Sequence, residues 1–133
     1  MILMAATLGA ETDALIRRLQ IQALADSVLV DALANAAIEN VCDNLCADLA
    51  AVLAPLHLSP RFSPGYGDFS LDHQRDFARV LEMQKTVGIT LTESLLMLPS
   101  KSVTAVIGVS KQDARCVLSG CESCRNAGCT FRR

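Results

Sequence analysis

Asp26–Leu53 reads DSVLVDALANAAIENVCDNLCADLAAVL, and the rest of the chain is arranged around it. It is rich in Ala and Leu and has no Gly or Pro until Pro55, so it predicts one long helix. At ~100° per residue, Asn40, Asn44 and Asp48 fall on one stripe that should face water. Leu33, Ala36, Ala37, Val41, Leu45, Leu49 and Leu53 spread over much of the remainder, which predicts packing on more than one side. Upstream, the apolar run Ile2–Thr7 ends at Gly9 and reads as a buried strand. Thr12 or Asp13 can then cap a short helix through about Gln22. Downstream, Pro55, Pro60 and Pro64 enforce a loop. Ser70 can cap a second helix over about Leu71–Val87, with Phe77, Val80, Leu81 and Gln84 along one side and Gly88 as its stop. Ile89–Leu91 and Leu95–Leu98 look extended. Pro99–Ser102 reads as a turn and Val103–Val109 as a β-branched strand, which predicts a hairpin across that turn. The class is α+β.

The length of 133 residues suits one domain. We expect that domain over residues 1–110, N-terminally incomplete if the chain is a fragment, and a cysteine-rich tail over 111–133. No apolar run reaches the ~18 residues of a membrane helix. The longest candidate, Leu49–Leu58, is broken by Pro55. Met1–Ala6 has no basic stretch before it, and Glu11 and Asp13 follow, which argues against a secretory signal. The expectation is a soluble cytoplasmic chain. A net charge of −2 gives no basic face for nucleic acid, and 4% aromatic residues leave little for base stacking. The hydrophobic share, 51%, is high for a small soluble chain and needs a destination. Either a helix is buried nearly all round, or a surface docks onto a missing segment or a partner.

Three short motifs follow one another. Arg61-Phe62-Ser63-Pro64-Gly65-Tyr66-Gly67 precedes the second helix. Gly88-Ile89-Thr90-Leu91-Thr92-Glu93-Ser94 follows it, and Met97-Leu98-Pro99-Ser100-Lys101-Ser102-Val103-Thr104 comes next. This order resembles the activation domain of cobalamin-dependent methionine synthase, which carries Arg-x-x-Pro-Gly-Tyr, a helix, Leu-Thr-Glu-Ser and Pro-x-x-Ser-Val-[Ser/Thr]. The likeness spans about residues 61–110. A weaker one extends back through Ala37-Ile38-Glu39 to Ala6-Thr7-Leu8-Gly9.

The resemblance implies a twisted, mainly antiparallel sheet carrying the long helix and the second helix. It also implies a purpose. Cobalamin is occasionally oxidised during turnover, and its repair needs an electron from a flavoprotein and a methyl group from S-adenosylmethionine. In the family this domain binds S-adenosylmethionine and closes over a cobalamin-binding partner. By that resemblance Arg61, Ser63, Pro64, Gly65 and Tyr66 are the cofactor-binding loop. A planar guanidinium at Arg61 can take the methionine carboxylate in bidentate fashion. Pro64-Gly65 allows close backbone approach to a ligand, and Tyr66 offers an aromatic wall with a polar tip. A carboxylate should attend the sulfonium; Glu39 is the first candidate and Glu93 the second. Family members also carry an acidic segment ahead of the first strand and a tyrosine-bearing segment after the hairpin, and nothing here stands in for either. The implied function is an accessory module for reductive methylation of cobalamin in a methionine synthase acting in trans. It would be a component of methyltransferase activity rather than an independent enzyme.

Cys116, Cys121, Cys124 and Cys129 form C-x4-C-x2-C-x4-C, which suits zinc or an iron–sulfur cluster, with redox-active or disulfide pairing, or no role, as the other readings. The metal reading supports an alternative, a metal-binding or electron-transfer protein; a non-catalytic S-adenosylmethionine-binding scaffold is a third reading. Cys42 and Cys46, one helical turn apart, read as small buried residues before metal ligands. His57 and His73 have no neighbours that suggest a triad. No nucleophile has an adjacent base and no carboxylate pair is set for acid–base work, so no catalytic residue is assigned. Neither Gly-x-x-x-x-Gly-Lys nor Gly-x-Gly-x-x-Gly is present.

Overall fold

The computed structural model describes residues 1–111. Its elements are β1 (Ile2–Thr7), α1 (Ala10–Gln22), α2 (Leu24–Leu53), β2 (His57–Leu58), a 3₁₀ turn (Leu71–His73), α3 (Gln74–Val80), α4 (Met83–Thr86), β3 (Thr90–Leu91), β4 (Met97–Leu98), β5 (Ser102–Ile107) and β6 (Val109–Ser110). The class is α+β, as the sequence predicts.

β1 and β5 form an antiparallel ribbon with Ile2 opposite Ile107 and Thr7 opposite Ser102. Phe62 and Val106 exchange backbone hydrogen bonds of 3.0 and 2.9 Å. β2 pairs with β6 in the same antiparallel sense. Residues 57–62 thus run beside 106–110 as a third, interrupted strand.

Alternation of side chains along a strand gives this ribbon two different faces. Met4, Ala6, Ala105 and Ile107 point to one side, where Ile38 and Cys42 of α2 meet them. Leu3, Ala5 and Val106 point to the other, against Phe77, Met83 and Ile89. Full burial of each large apolar side chain contributes about 1.5–3 kcal/mol. On this second face the Thr104 hydroxyl donates to Gln74 Oε1 at 2.8 Å, so both buried polar groups are satisfied.

Four details differ from the sequence reading. First, the hairpin lies elsewhere. β3 pairs with β4, Thr90 opposite Leu98, across a turn at Thr92–Leu96, while β5 pairs with β1 rather than with β4. The Pro99–Ser102 turn is drawn towards α1 and β1. Asp13 accepts both the Ser100 amide (2.7 Å) and the Ser100 hydroxyl (2.8 Å), and the Leu8 amide donates to the Lys101 carbonyl at 2.9 Å. Second, Asp13 is therefore no helix cap. Gly9 takes the N-cap position of α1, and no side chain caps it.

Third, the segment 71–87 is broken. Ser70 does cap it, accepting from the Asp72 amide, but Glu82 adopts a left-handed conformation (φ 45°, ψ 46°) between α3 and α4. In an unbroken helix, Met83 would sit ~120° around the axis from Phe77. The break re-aims Met83 into the same core as Phe77, and it is fully buried there. Fourth, α2 packs along one stripe: Ser27, Ala34, Ile38 and Cys42 are buried, with Cys46 and Leu49 packed below them. Leu33, Val41 and Leu45, expected on a second packed side, are exposed. The Asn40, Asn44 and Asp48 stripe does face water, and Asn44 donates to Asn40 across 3.0 Å.

Candidate functional site

The site grows from the same strand alternation. Phe62, bridged to Val106, lies beside Phe69 at a ring separation of 5.9 Å. Arg61, one residue earlier, extends instead to α2. There its Nη2 donates to Glu39 Oε2 at 3.0 Å and to Asp43 Oδ1 at 2.6 Å. Glu39 and Asp43 are one helical turn apart, so helix geometry sets both carboxylates on the same edge of α2. The arginine side chain is only 20% exposed, whereas Glu39 and Asp43 are 60% and 68% exposed. The guanidinium is thus laid down on the helix with two hydrated carboxylates at its rim.

Cys42 lies beneath it. Burial is the main influence on this thiol and pushes its pKa up; Glu39 and Cys46 act in the same direction, and Arg61 opposes them. The thiol is therefore neutral at pH 7. Desolvation is also the largest single influence on Arg61 and pulls it down, but attraction to Cys42, Glu39, Asp43 and Cys46 outweighs it, and the net shift is upward. With Cys42 protonated, that attraction comes from Glu39 and Asp43. Arg61 is a permanent cation.

The loop that follows is closed by its own backbone. The Tyr66 amide donates to the Ser63 carbonyl (3.3 Å), the Gly65 amide to Phe69 (2.7 Å) and the Phe69 amide to Tyr66 (3.0 Å). Gly65 has φ 92°, which side-chain-bearing residues rarely adopt, and a Cβ there would meet Leu71 Cδ1 at 3.3 Å. Pro64 is buried under the bend, while Gly65 and Tyr66 are exposed. Pro64 thus anchors the turn and leaves its outer rim open to a ligand.

The structure brings Arg61 and Glu39 into contact and adds Asp43, which sequence reasoning missed. The signal was available, since Asp43 stands four residues after Glu39. Glu93 is exposed in the β3–β4 turn, and among the described residues no hydrogen bond or ion pair joins it to Arg61. Cys116, Cys121, Cys124 and Cys129 lie outside the described residues. Cys42 and Cys46 are free thiols, and among the described residues no group of three His, Cys, Asp or Glu is placed to hold a metal. His73 pairs with Asp76 at 3.2 Å.

Among the described residues, open clefts also lie elsewhere, two of them sizeable. One, of about 550 Å³, is lined by Asp13, Arg17, Asp31 and Ser100; the other, of about 450 Å³, by Leu3, Phe62, Phe69, His73 and Phe77. The polar groups of the first already serve structure, Asp13 holding Ser100 and Asp31 holding Lys101 at 2.8 Å. The second is apolar and backs onto the Arg61 loop from the opposite face of the ribbon. The ion-paired cluster of Arg61, Glu39 and Asp43 lies outside both clefts. Among the described residues no helix is long and apolar enough to cross a membrane.

A buried ribbon, a long helix and an Arg-x-x-Pro-Gly-Tyr bend facing that helix define an α+β activation-domain architecture. Residues 3–118 match the model of the vitamin B12 dependent methionine synthase activation domain, and the chain belongs to that family. A search of curated proteins finds no match. Membership supports a role in cobalamin reactivation and points to a cobalamin-binding partner.

Proposed function

We propose that this chain binds S-adenosylmethionine at the Arg61 site and presents it for reductive methylation of cobalamin held by a methionine synthase subunit in trans. The observation that carries the reading is the guanidinium of Arg61, held on α2 between Glu39 and Asp43 at the root of the Pro64–Gly65 bend. An α-amino acid carries a carboxylate and an ammonium side by side. A guanidinium flanked by carboxylates is the complementary set, with Arg61 for the ligand carboxylate and Glu39 for a cationic group. The donor set therefore fits the methionine end of S-adenosylmethionine. The open rim at Gly65 and Tyr66 offers backbone groups and an aromatic face to the nucleoside. When bound, the ligand supplies the methyl group; the protein's own residues bind and orient it. A flavoprotein is the reductant in this scheme.

Calorimetry with S-adenosylmethionine tests the first half. Binding by the wild type and a loss of roughly ten- to a hundredfold in Arg61→Ala, about 1.5–3 kcal/mol, is the expected result. The mostly buried arginine stem also packs over Cys42, so a modest fall in melting temperature should accompany the loss, and circular dichroism checks that the variant is folded. Co-purification with a cobalamin-binding subunit tests the second half. No binding of ligand, alone or with that subunit present, defeats the proposal.

A further inference from the structure

The Arg61 cluster contains one cation and two carboxylates, all joined through a single nitrogen, Nη2. With Cys42 neutral, one negative charge is left over. A plain zwitterionic amino acid does not use that surplus: its carboxylate takes Arg61, its ammonium takes one acid, and the negative charge of the second acid stays unmatched. A sulfonium amino acid has one anion and two cations, the mirror image of the cluster.

We infer that Asp43 is a specificity-determining residue that makes the site prefer a sulfonium ligand over the uncharged thioether left after methyl transfer. The inference rests on the proposed reading of the site. Its physical basis is charge matching. Asp43 is 68% exposed and keeps most of its hydration, so it costs little to leave in place when the thioether is bound. The preference is therefore expressed as added attraction for the sulfonium rather than as a penalty on the thioether. Two unit charges ~7 Å apart at an effective dielectric of about 40–80 change a binding constant roughly three- to eightfold. Because the carboxylate is exposed, salt screens the effect. Discharge of the methyl group would then weaken the hold on the spent ligand and favour its release.

The test compares affinities for S-adenosylmethionine and S-adenosylhomocysteine in wild type, Asp43→Asn and Asp43→Glu, by calorimetry at low salt. The ratio of the two affinities is the readout. Looser placement of Arg61 in a variant would move both affinities together and cancel. The expected result is a ratio about three- to eightfold smaller in Asp43→Asn, largely restored in Asp43→Glu, and narrowed in wild type by ~0.5 M salt. Equal ratios in wild type and Asp43→Asn overturn the inference, whatever the absolute affinities, and leave the binding site standing. A wild-type protein that binds neither compound overturns the site itself, and this inference with it. Circular dichroism checks that the variants are folded.

Discussion

At the scale of single residues, Cys42 shows how the site's foundation constrains the fold. It is fully buried and stands under the Arg61 guanidinium. Its pKa is raised, so the folded chain holds the thiol proton more tightly than the unfolded chain does. The stability this contributes is complete below the ordinary thiol value of ~8.5 and is lost as pH climbs through it towards the raised folded value. The urea midpoint should therefore fall more steeply between about pH 8 and pH 10 in wild type than in Cys42→Ala. At pH 7 the same substitution should lower stability by about 1–2 kcal/mol through the small cavity it opens. Parallel pH profiles of the two proteins would contradict a buried thiol.

At the scale of elements, two local devices carry the geometry. Asp13 ties α1 to the turn before β5 through both a backbone and a side-chain donor. Asp13→Ala strands the Ser100 groups and should cost about 1–3 kcal/mol, read from denaturant melts. Asp13→Asn retains one acceptor and should cost less. The second device is the bend at Gly65. Gly65→Ala forces a side chain into φ 92° and against Leu71. A destabilisation of about 1–2 kcal/mol is expected, together with weaker S-adenosylmethionine binding by a rim that no longer closes as it does now. An unchanged melt would mean that the turn is held less firmly than its hydrogen bonds imply.

At the scale of the whole molecule, the apolar excess is resolved by asymmetry. α2 packs one stripe against the ribbon and leaves Val28, Leu29 and Leu33 in water, with Ile21 and Leu24 exposed beside them at the α1–α2 junction. Ile38→Ala should therefore cost about 2–5 kcal/mol. Leu33→Gln, on the same helix, should lie within about 0.5 kcal/mol of wild type. Comparable losses at both positions would show that the second face of α2 is covered in solution. The high hydrophobic content of the sequence thus does not imply a helix buried all round.

The sequence alone determined what local chemistry can encode. The long helix, the first strand, the Ser70 cap, the Gly88 stop and the order of the three motifs follow from propensity, capping and turn residues within a few positions of one another. The sequence reading names Arg61 and Glu39 as residues of one site but does not predict that they pair, since 22 residues separate them. Three things were decided by tertiary structure. β5 pairs with β1 rather than β4, because Asp13 and Leu8, far away in the chain, satisfy the turn before it. The second helix breaks at Glu82, because Met83 and Phe77 must reach one core. Asp43 joins the site, because the strand alternation that sends Phe62 to one face sends Arg61 to the other, where α2 presents its acidic edge. Each depends on which groups meet across space, and neither periodicity nor composition specifies that.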